Sequence, residues 1–205
     1  MRALILAAGK ATRLDGKQKL LVDAGGVPVH EWHRRALTDY KTAIVVRAED
    51  DAEVAREVQW ADRVIPHAKT DGPVGAMAAY LRLFDDDDEL LVIYADTLIP
   101  PQWLPTGSWV GVSRLTDRTW DYQNGYGVWV KEPLPTHVGI GLYRFDRMDT
   151  LRECMARIGT QEDQHMPVLL NEYRRTEYQP PVLIEGWHDA GDWAALSRIP
   201  NIRSV

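Results

Sequence analysis

Apolar runs alternate with amphipathic stretches along the first half of the chain. Ala3–Ala8 is a continuous run of small and aliphatic residues, suited to a central parallel strand covered on both faces. Gly9–Gln18 breaks this run with glycine and charge and reads as a loop. Val29–Tyr40 sets Trp32, Ala36, Leu37 and Tyr40 at helical spacing. Thr42–Arg47 is a second strand, and Asp50–Trp60 a helix with Asp50 or Asp51 available as its N-cap. Arg63–Pro66 is a third strand, a Gly72–Pro73 turn opens a helix over Val74–Phe84, and Leu90–Ala95 is a fourth buried strand ended by Asp96 and Thr97. This βαβαβαβ order predicts an α/β protein with a parallel sheet covered by helices and right-handed crossovers. In the second half, Ser108–Arg114, Gly127–Lys131, Val138–Phe145 and Pro181–Glu185 read as strands. Helices are expected at Arg147–Ile158, Gln161–Arg174 and Trp193–Ile199, the last with Asp192 as N-cap.

No repeat and no low-complexity linker interrupts this order, and 205 residues suit one domain. Apolar residues at 45% and charged residues at 26% are ordinary globular usage, which argues against disorder. The net charge of −6 disfavours a general nucleic-acid binder. Much of that excess lies in the run Asp85–Glu89, read as a solvated loop. Cys154 is the single cysteine, so an internal disulfide is excluded and a reducing, cytoplasmic setting is expected. Met1–Gly9 is too short for a signal-peptide core, and no stretch approaches the roughly 20 apolar residues of a spanning helix. No membrane partner is expected. The eight tryptophans should serve as core or pocket walls.

The loop after the first strand is where the charge picture changes. Residues 1–20 carry Arg2, Lys10, Arg13, Lys17 and Lys19 against Asp15 alone, a local balance of +4. Leu6, Ala8, Gly9 and Thr12 lie around a small-residue turn that lets backbone N–H groups approach a phosphate or a base. The carboxyl end of a first parallel strand is where α/β sheets bind nucleotides. Two familiar phosphate loops do not match. From Gly9, GxGxxG needs glycines where Ala11 and Leu14 stand, and GxxxxGK[ST] fails at Leu14–Asp15–Gly16. A basic surface loop is the competing reading.

The segment Leu6-Ala-Ala-Gly-x-x-Thr-Arg-Leu14, followed by Lys19-Leu-Leu-Val-x-x-x-Gly-x-Pro28, resembles the signature of the sugar-1-phosphate nucleotidylyltransferases. In that family a lysine stands nine residues before a proline, as Lys19 does before Pro28. Tyr126–Pro133 resembles the family's YGV…EKP hairpin, Gly139–Phe145 its N-A-G-x-Y-x-F strand, and Trp187–Asp192 its W-x-D-x-G-[TD] turn. The resemblance implies a Rossmann-like fold of glycosyltransferase-A type. It assigns residues 1–105 to the nucleotide and 106–205 to the acceptor. It also implies contacts to the base near Gly72 and to a sugar from Gly127, Glu132 and Gly141. Three departures bear on the substrate. Ala11 replaces the loop's second glycine, and Gly139 replaces an asparagine. The Arg13–Lys19 spacing is short, as in the molybdenum-cofactor guanylyltransferase and phosphocholine cytidylyltransferase branches.

The chemistry this implies follows from residue types. A phosphate monoester attacking the α-phosphate of an NTP brings two anions together, so catalysis is positioning and charge neutralisation. Arg13 suits the β and γ phosphates as a fork, and Lys19 the α-phosphate and the incoming phosphate. Asp96 and Asp189 are the expected ligands of Mg²⁺, which takes one or two carboxylates plus phosphate oxygens. Plainer readings stand beside these. Asp96 serves as a cap, Asp189 makes an Asx turn, Gly72–Pro73 is only a turn, and Glu132 is a surface hairpin residue. His30 and His33 lack a third ligand for zinc. The expected partners are an NTP and a phosphorylated small acceptor, with room for a homodimer. A phosphocholine-type acceptor and a noncatalytic nucleotide-sugar binder are the competing functions.

Overall fold

Arg2–Ala7 forms strand β1, and every residue from Ala3 to Ala7 is buried. A strand covered on both faces needs no polar alternation, which explains the unbroken apolar run. The computed structural model describes residues 1–69, 71–85, 88–113, 138–162 and 164–201, together with the backbone of two strand pieces at 122–123 and 129–130. After β1 come β2 (Asp23–Ala24), β3 (Val27–Pro28), α1 (Val29–Ala36), β4 (Lys41–Arg47), α2 (Asp51–Glu57), β5 (Arg63–His67), α3 (Gly72–Leu81) and β6 (Leu90–Tyr94). Then follow β7 (Thr97–Leu98), β8 (Trp109–Ser113), β9 (Tyr122–Gln123), β10 (Trp129–Val130), β11 (Val138–Phe145), α4 (Met148–Ile158), α5 (Met166–Tyr173), β12 (Pro181–Leu183), β13 (His188–Asp189) and α6 (Trp193–Leu196).

β1 lies between β4 and β6, parallel to both, with Leu4 opposite Ala43 on one side and Val92 on the other. β5 extends the parallel set beyond β4. β11 joins antiparallel to β6, and β8 pairs with β11 and β12, so one mixed sheet spans both halves of the chain. Successive strand residues point to opposite faces. Ala3, Ile5 and Ala7 pack with Trp32 of α1, Val54 of α2, Leu196 of α6 and the nearby Ile199. Leu4 and Leu6 pack with Met77 and Tyr80 of α3, Leu151 of α4 and Leu169 of α5. The chain runs from β1 outward to β4 and β5, then crosses back to β6 on the far side of β1. In open α/β sheets the usual ligand position is at such a reversal, beyond the carboxyl ends of the strands, here β1 and β6.

Several boundaries differ from the sequence expectation. α1 ends at Ala36 rather than Tyr40, where Thr38 turns its hydroxyl back onto the carbonyls of Arg34 and Arg35. α2 stops at Glu57, and neither expected aspartate caps it: the Asp50 carboxylate instead accepts from Arg47 Nε at 2.6 Å and Gln18 Nε2 at 2.7 Å. α5 begins at Met166 because Pro167 in its first turn favours a start there. Asp192 does cap α6, accepting from the Ala195 N–H at 2.8 Å. Within the acidic run, Asp85 and Asp88 are exposed, but Glu89 reaches the buried Arg144 at 2.7 Å and is a structural partner. The tryptophans divide: Trp32, Trp109 and Trp187 are buried, whereas Trp103 is 81% exposed and Trp193 is 42% exposed. Cys154 is a buried free thiol in α4. Among the described residues no helix is long and apolar enough to cross a membrane.

Candidate active site

The loop that leaves β1 is shaped by its backbone. Ala11 (φ 50°, ψ 37°) and Asp15 (φ 54°, ψ 33°) both lie in the left-handed region and bracket a 3₁₀ turn over Thr12–Leu14. Ala11 therefore adopts the conformation its glycine counterpart would favour, against the cost of a Cβ. Leu14 is fully buried and anchors the turn, while Gly9, Thr12 and Arg13 stay exposed. A Cβ added at Gly9 would meet nothing within 4 Å, so the space beside it is open. Leu6 is buried within β1, its carbonyl taking the Ala95 N–H at 3.1 Å, and Ala8 is half-buried.

A second 3₁₀ turn, Lys19–Leu21, carries Lys19. Buried Gln18 sets it: its Oε1 accepts from Leu20 N, and its Nε2 reaches Asp50 and, at 3.4 Å, the Ala7 carbonyl. Lys19 Nζ is bonded to Asp96 Oδ2, just past the end of β6. Burial would raise the Asp96 pKa, but the Lys19 charge and hydrogen bond, with the Arg13 charge beyond, outweigh it and hold the carboxyl below its ordinary value.

Asp189 arrives from far along the chain on a two-stranded ribbon. β13 pairs antiparallel with β7, so Asp189 lies opposite Thr97, and the Ala190 N–H donates to the Asp96 carbonyl at 2.8 Å. Buried Trp187 and an edge-to-face contact of His188 on Trp32 dock this segment. Asp189 Oδ1 accepts from Gly191 N at 2.8 Å, the Asx turn expected as its plainer reading. The turn does not exclude a ligand role, because Gly191 marks where the charged groups converge. A Cβ placed there would stand 2.9 Å from Asp189 Oδ1, 3.2 Å from Arg13 Nη2 and 3.4 Å from Asp96 Oδ2. Arg13, Lys19, Asp96 and Asp189 thus meet at one point, with Asp192 4.0 Å from Arg13.

The remaining candidates fall elsewhere. Gly72 (φ 71°) begins α3 beyond the carboxyl end of β5. Beside it the buried Asp71 takes a 2.6 Å bond with His67 Nε2, and its carboxyl fills the space a Cβ at Gly75 would need. Gly141 (φ 76°) is buried at an irregularity of β11, and the Tyr94 ring and Thr97 Oγ1 occupy the space beside its Cα. Backbone shape and packing therefore account for that glycine. Gly127 and Glu132, with Tyr126, lie outside the described residues; of Trp129 and Val130 only the backbone is described.

Motif reading did not flag Gln18, Arg47, Asp50 or His33 as site supports. His33 is the clearest case. Its Nε2 lies 3.0 Å from the Ala95 carbonyl, behind Asp96, and its Nδ1 has no partner among the described residues. Burial pushes its pKa down to about 4, so it is neutral and donates through Nε2. The visible signal was a polar residue on a face shared with Val29 and Trp32. His30 takes a 3.4 Å bond from Trp60 Nε1.

Among the described residues, no group of three or more His, Cys, Asp or Glu side chains is arranged to hold a metal. The Asp96–Asp189 pair offers hard oxygen donors that phosphate oxygens and water would have to complete, a set that fits Mg²⁺ better than softer metals.

The sequence model of the MobA-like NTP transferase domain matches residues 3–106. The chain belongs to this family and is a nucleotidyltransferase. No curated protein sequence matches it. Among solved structures, the chain is similar to the nucleoside-diphosphate-sugar pyrophosphorylase of Vibrio cholerae RC9, with 16% identity, TM-score 0.74 and coverage of 96% of this chain and 98% of that one. It is also similar to a candidate glucose-1-phosphate thymidylyltransferase of Bacillus anthracis in complex with a sucrose, at 19% identity, TM-score 0.77 and coverage of 100% and 95%. A third match is the inositol-1-phosphate CTP transferase of T. maritima, at 14% identity, TM-score 0.73 and coverage of 97% and 95%. At these identities the likeness establishes the fold.

Proposed function

We propose that this NTP transferase joins a nucleotidyl group to a sugar 1-phosphate, forming an NDP-sugar and pyrophosphate. The observation that carries the reading is the convergence of Arg13, Lys19, Asp96 and Asp189 beside Gly191. A phosphate oxygen of the acceptor forms a bond to the α-phosphorus. The bond from that phosphorus to the bridging oxygen breaks, and its electron pair leaves with pyrophosphate. The nucleophile is already an anion at neutral pH, so no general base is needed.

In this reading the guanidinium of Arg13 binds the β and γ phosphates, and Lys19 draws the α-phosphate and the acceptor phosphate together. Leu6, Ala8, Gly9 and Thr12 line the nucleotide side, with Gly72 toward the base. Gly127 and Glu132 serve the sugar side. Asp96 and Asp189 would hold Mg²⁺, which when bound would neutralise charge on the α-phosphate and polarise it. Lys19 must leave Asp96 for this, and the arriving phosphates give its ammonium another anion. One cysteine and the lack of a membrane-spanning helix among the described residues support a cytoplasmic setting.

The test is pyrophosphate release over the common NTPs and a panel of sugar 1-phosphates, with and without Mg²⁺. Turnover with one pairing, abolished by chelation, is expected; silence across the panel by folded protein overturns the reading. Asp96→Asn should remove turnover, by about a thousandfold or more, while leaving the far-ultraviolet circular dichroism unchanged. Retained activity takes Asp96 out of the site. A second reading keeps the reaction and changes the acceptor to phosphocholine, inositol 1-phosphate or another phosphorylated alcohol. The short Arg13–Lys19 spacing favours it, and the same panel with those acceptors decides between the two.

A further inference from the structure

We infer that Trp193 is a positioning residue for the phosphate loop, holding Ala11–Lys17 in the shape that presents Arg13. The loop is not held by its own backbone preferences. Ala11 and Asp15 both sit at positive φ without being glycine, a conformation that persists only where surrounding structure imposes it. Its outside anchors can be named. Leu14 is sunk into the core, and Arg47 Nη2 of β4 donates to the Gly16 carbonyl at 2.9 Å. Trp193 supplies two more contacts: its Nε1 donates to Asp15 Oδ2 at 3.0 Å, and its ring lies under Lys17, with Nζ 5.1 Å from the ring centroid.

Core packing does not explain a tryptophan at this position, because Trp193 is 42% exposed. Its N–H and its ring face are both engaged by one short stretch of loop, 178 positions away in the chain for the Asp15 contact. The indole is well fixed for the task. It opens α6, whose start is set by the Asp192 cap, and Asp192 itself stands 4.0 Å from Arg13. The ribbon that carries Asp189 to Asp96 therefore ends, a few residues later, in a side chain that closes on the loop bearing Arg13. The contact lies on the Asp15–Lys17 side of buried Leu14, and Arg13 lies on the other. Fixing Asp15 and Lys17 fixes the turn, and with it the direction of the guanidinium.

The consequence for substrate rests on the proposed nucleotidyl transfer; the holding of the loop does not. Trp193→Ala removes both contacts, and Trp193→Phe keeps a ring under Lys17 but loses the donor. In the unliganded protein, hydrogen exchange of peptides spanning residues 9–18 should accelerate about tenfold in Trp193→Ala, the weight of one hydrogen bond to a charged acceptor, with Trp193→Phe between it and the unaltered protein. Exchange in α1 and β4 should not change. Calorimetry with inorganic tripolyphosphate should show binding weakened by a similar factor, and KM for the NTP should rise with kcat nearly constant, a split that general destabilisation would not produce. Loop exchange in Trp193→Ala equal to that of the unaltered protein overturns the inference. Accelerated loop exchange in a protein that binds no tripolyphosphate and turns over no NTP supports the holding of the loop and overturns the substrate reading instead.

Discussion

Ala11 shows how a single residue can depart from a motif and keep its geometry. It occupies the left-handed region at φ 50°, where a Cβ costs about 1–2 kcal/mol. Ala11→Gly should hold the same turn with stability changed by no more than about 1 kcal/mol, because relief of strain is offset by a freer unfolded chain. Ala11→Val, branched at Cβ, should destabilise by more than that, and urea melts of the two variants make the comparison. Lys19 and Asp96 form the other decisive pair at this scale, both largely buried and bonded to each other. Lys19→Met leaves a buried carboxylate unpaired and should cost on the order of 3 kcal/mol at pH 7. The sign with pH follows from the lowered Asp96 pKa. A depressed carboxyl contributes stability above its unfolded value, and that contribution is lost as pH falls through the folded one. The gap between Lys19→Met and the unaltered protein, read from denaturation midpoints, should therefore narrow below about pH 4. A gap that stays constant with pH would show that the charge pair is not its source.

Elements, rather than residues, decide where these groups stand. β6 ends at Tyr94, and Asp96 projects beyond it because α1 holds the intervening peptide through His33 and the Ala95 carbonyl. Burial, which outweighs the bond to the Ala95 carbonyl, keeps this imidazole neutral. With its pKa pushed down to about 4 by burial, His33 takes up a proton in the unfolded chain well before it does so in the folded one. Stability is thus intact above about pH 6.5 and falls as pH drops toward 4, by roughly 3 kcal/mol in all. Urea midpoints measured across that range should fall less steeply for His33→Gln than for the unaltered protein. Identical slopes would place the proton uptake elsewhere. The β7–β13 ribbon does for Asp189 what α1 does for Asp96, bringing the two within reach of Gly191.

At the scale of the whole molecule, the segment 1–105 is not closed by its own residues. One face of β1 packs in a cluster that includes Ile140, Leu142, Ile184, Trp187, Leu196 and Ile199, all from beyond residue 105. A fragment of residues 1–105 should therefore lack a cooperative thermal transition and should bind a hydrophobic dye, since much of its apolar surface would face water. A sharp melt of that fragment would refute this. The sequence by itself determined the parallel strands and their succession along the chain, because a strand buried on both faces must be continuously apolar and a helix must show its 3.6-residue period. Through the family resemblance it also marked Arg13, Lys19, Asp96 and Asp189, which the structure brings together beside Gly191. Helix ends were less legible, as at Thr38, where a side-chain hydroxyl competes with the backbone. The roles of Gln18, His33, Asp50 and Trp193 were not legible at all. Each depends on a partner distant in the chain, such as Ala95 for His33 and Asp15 for Trp193. Local periodicity carries no information about such pairs; the sheet order and the ribbon at Asp189 bring them into contact.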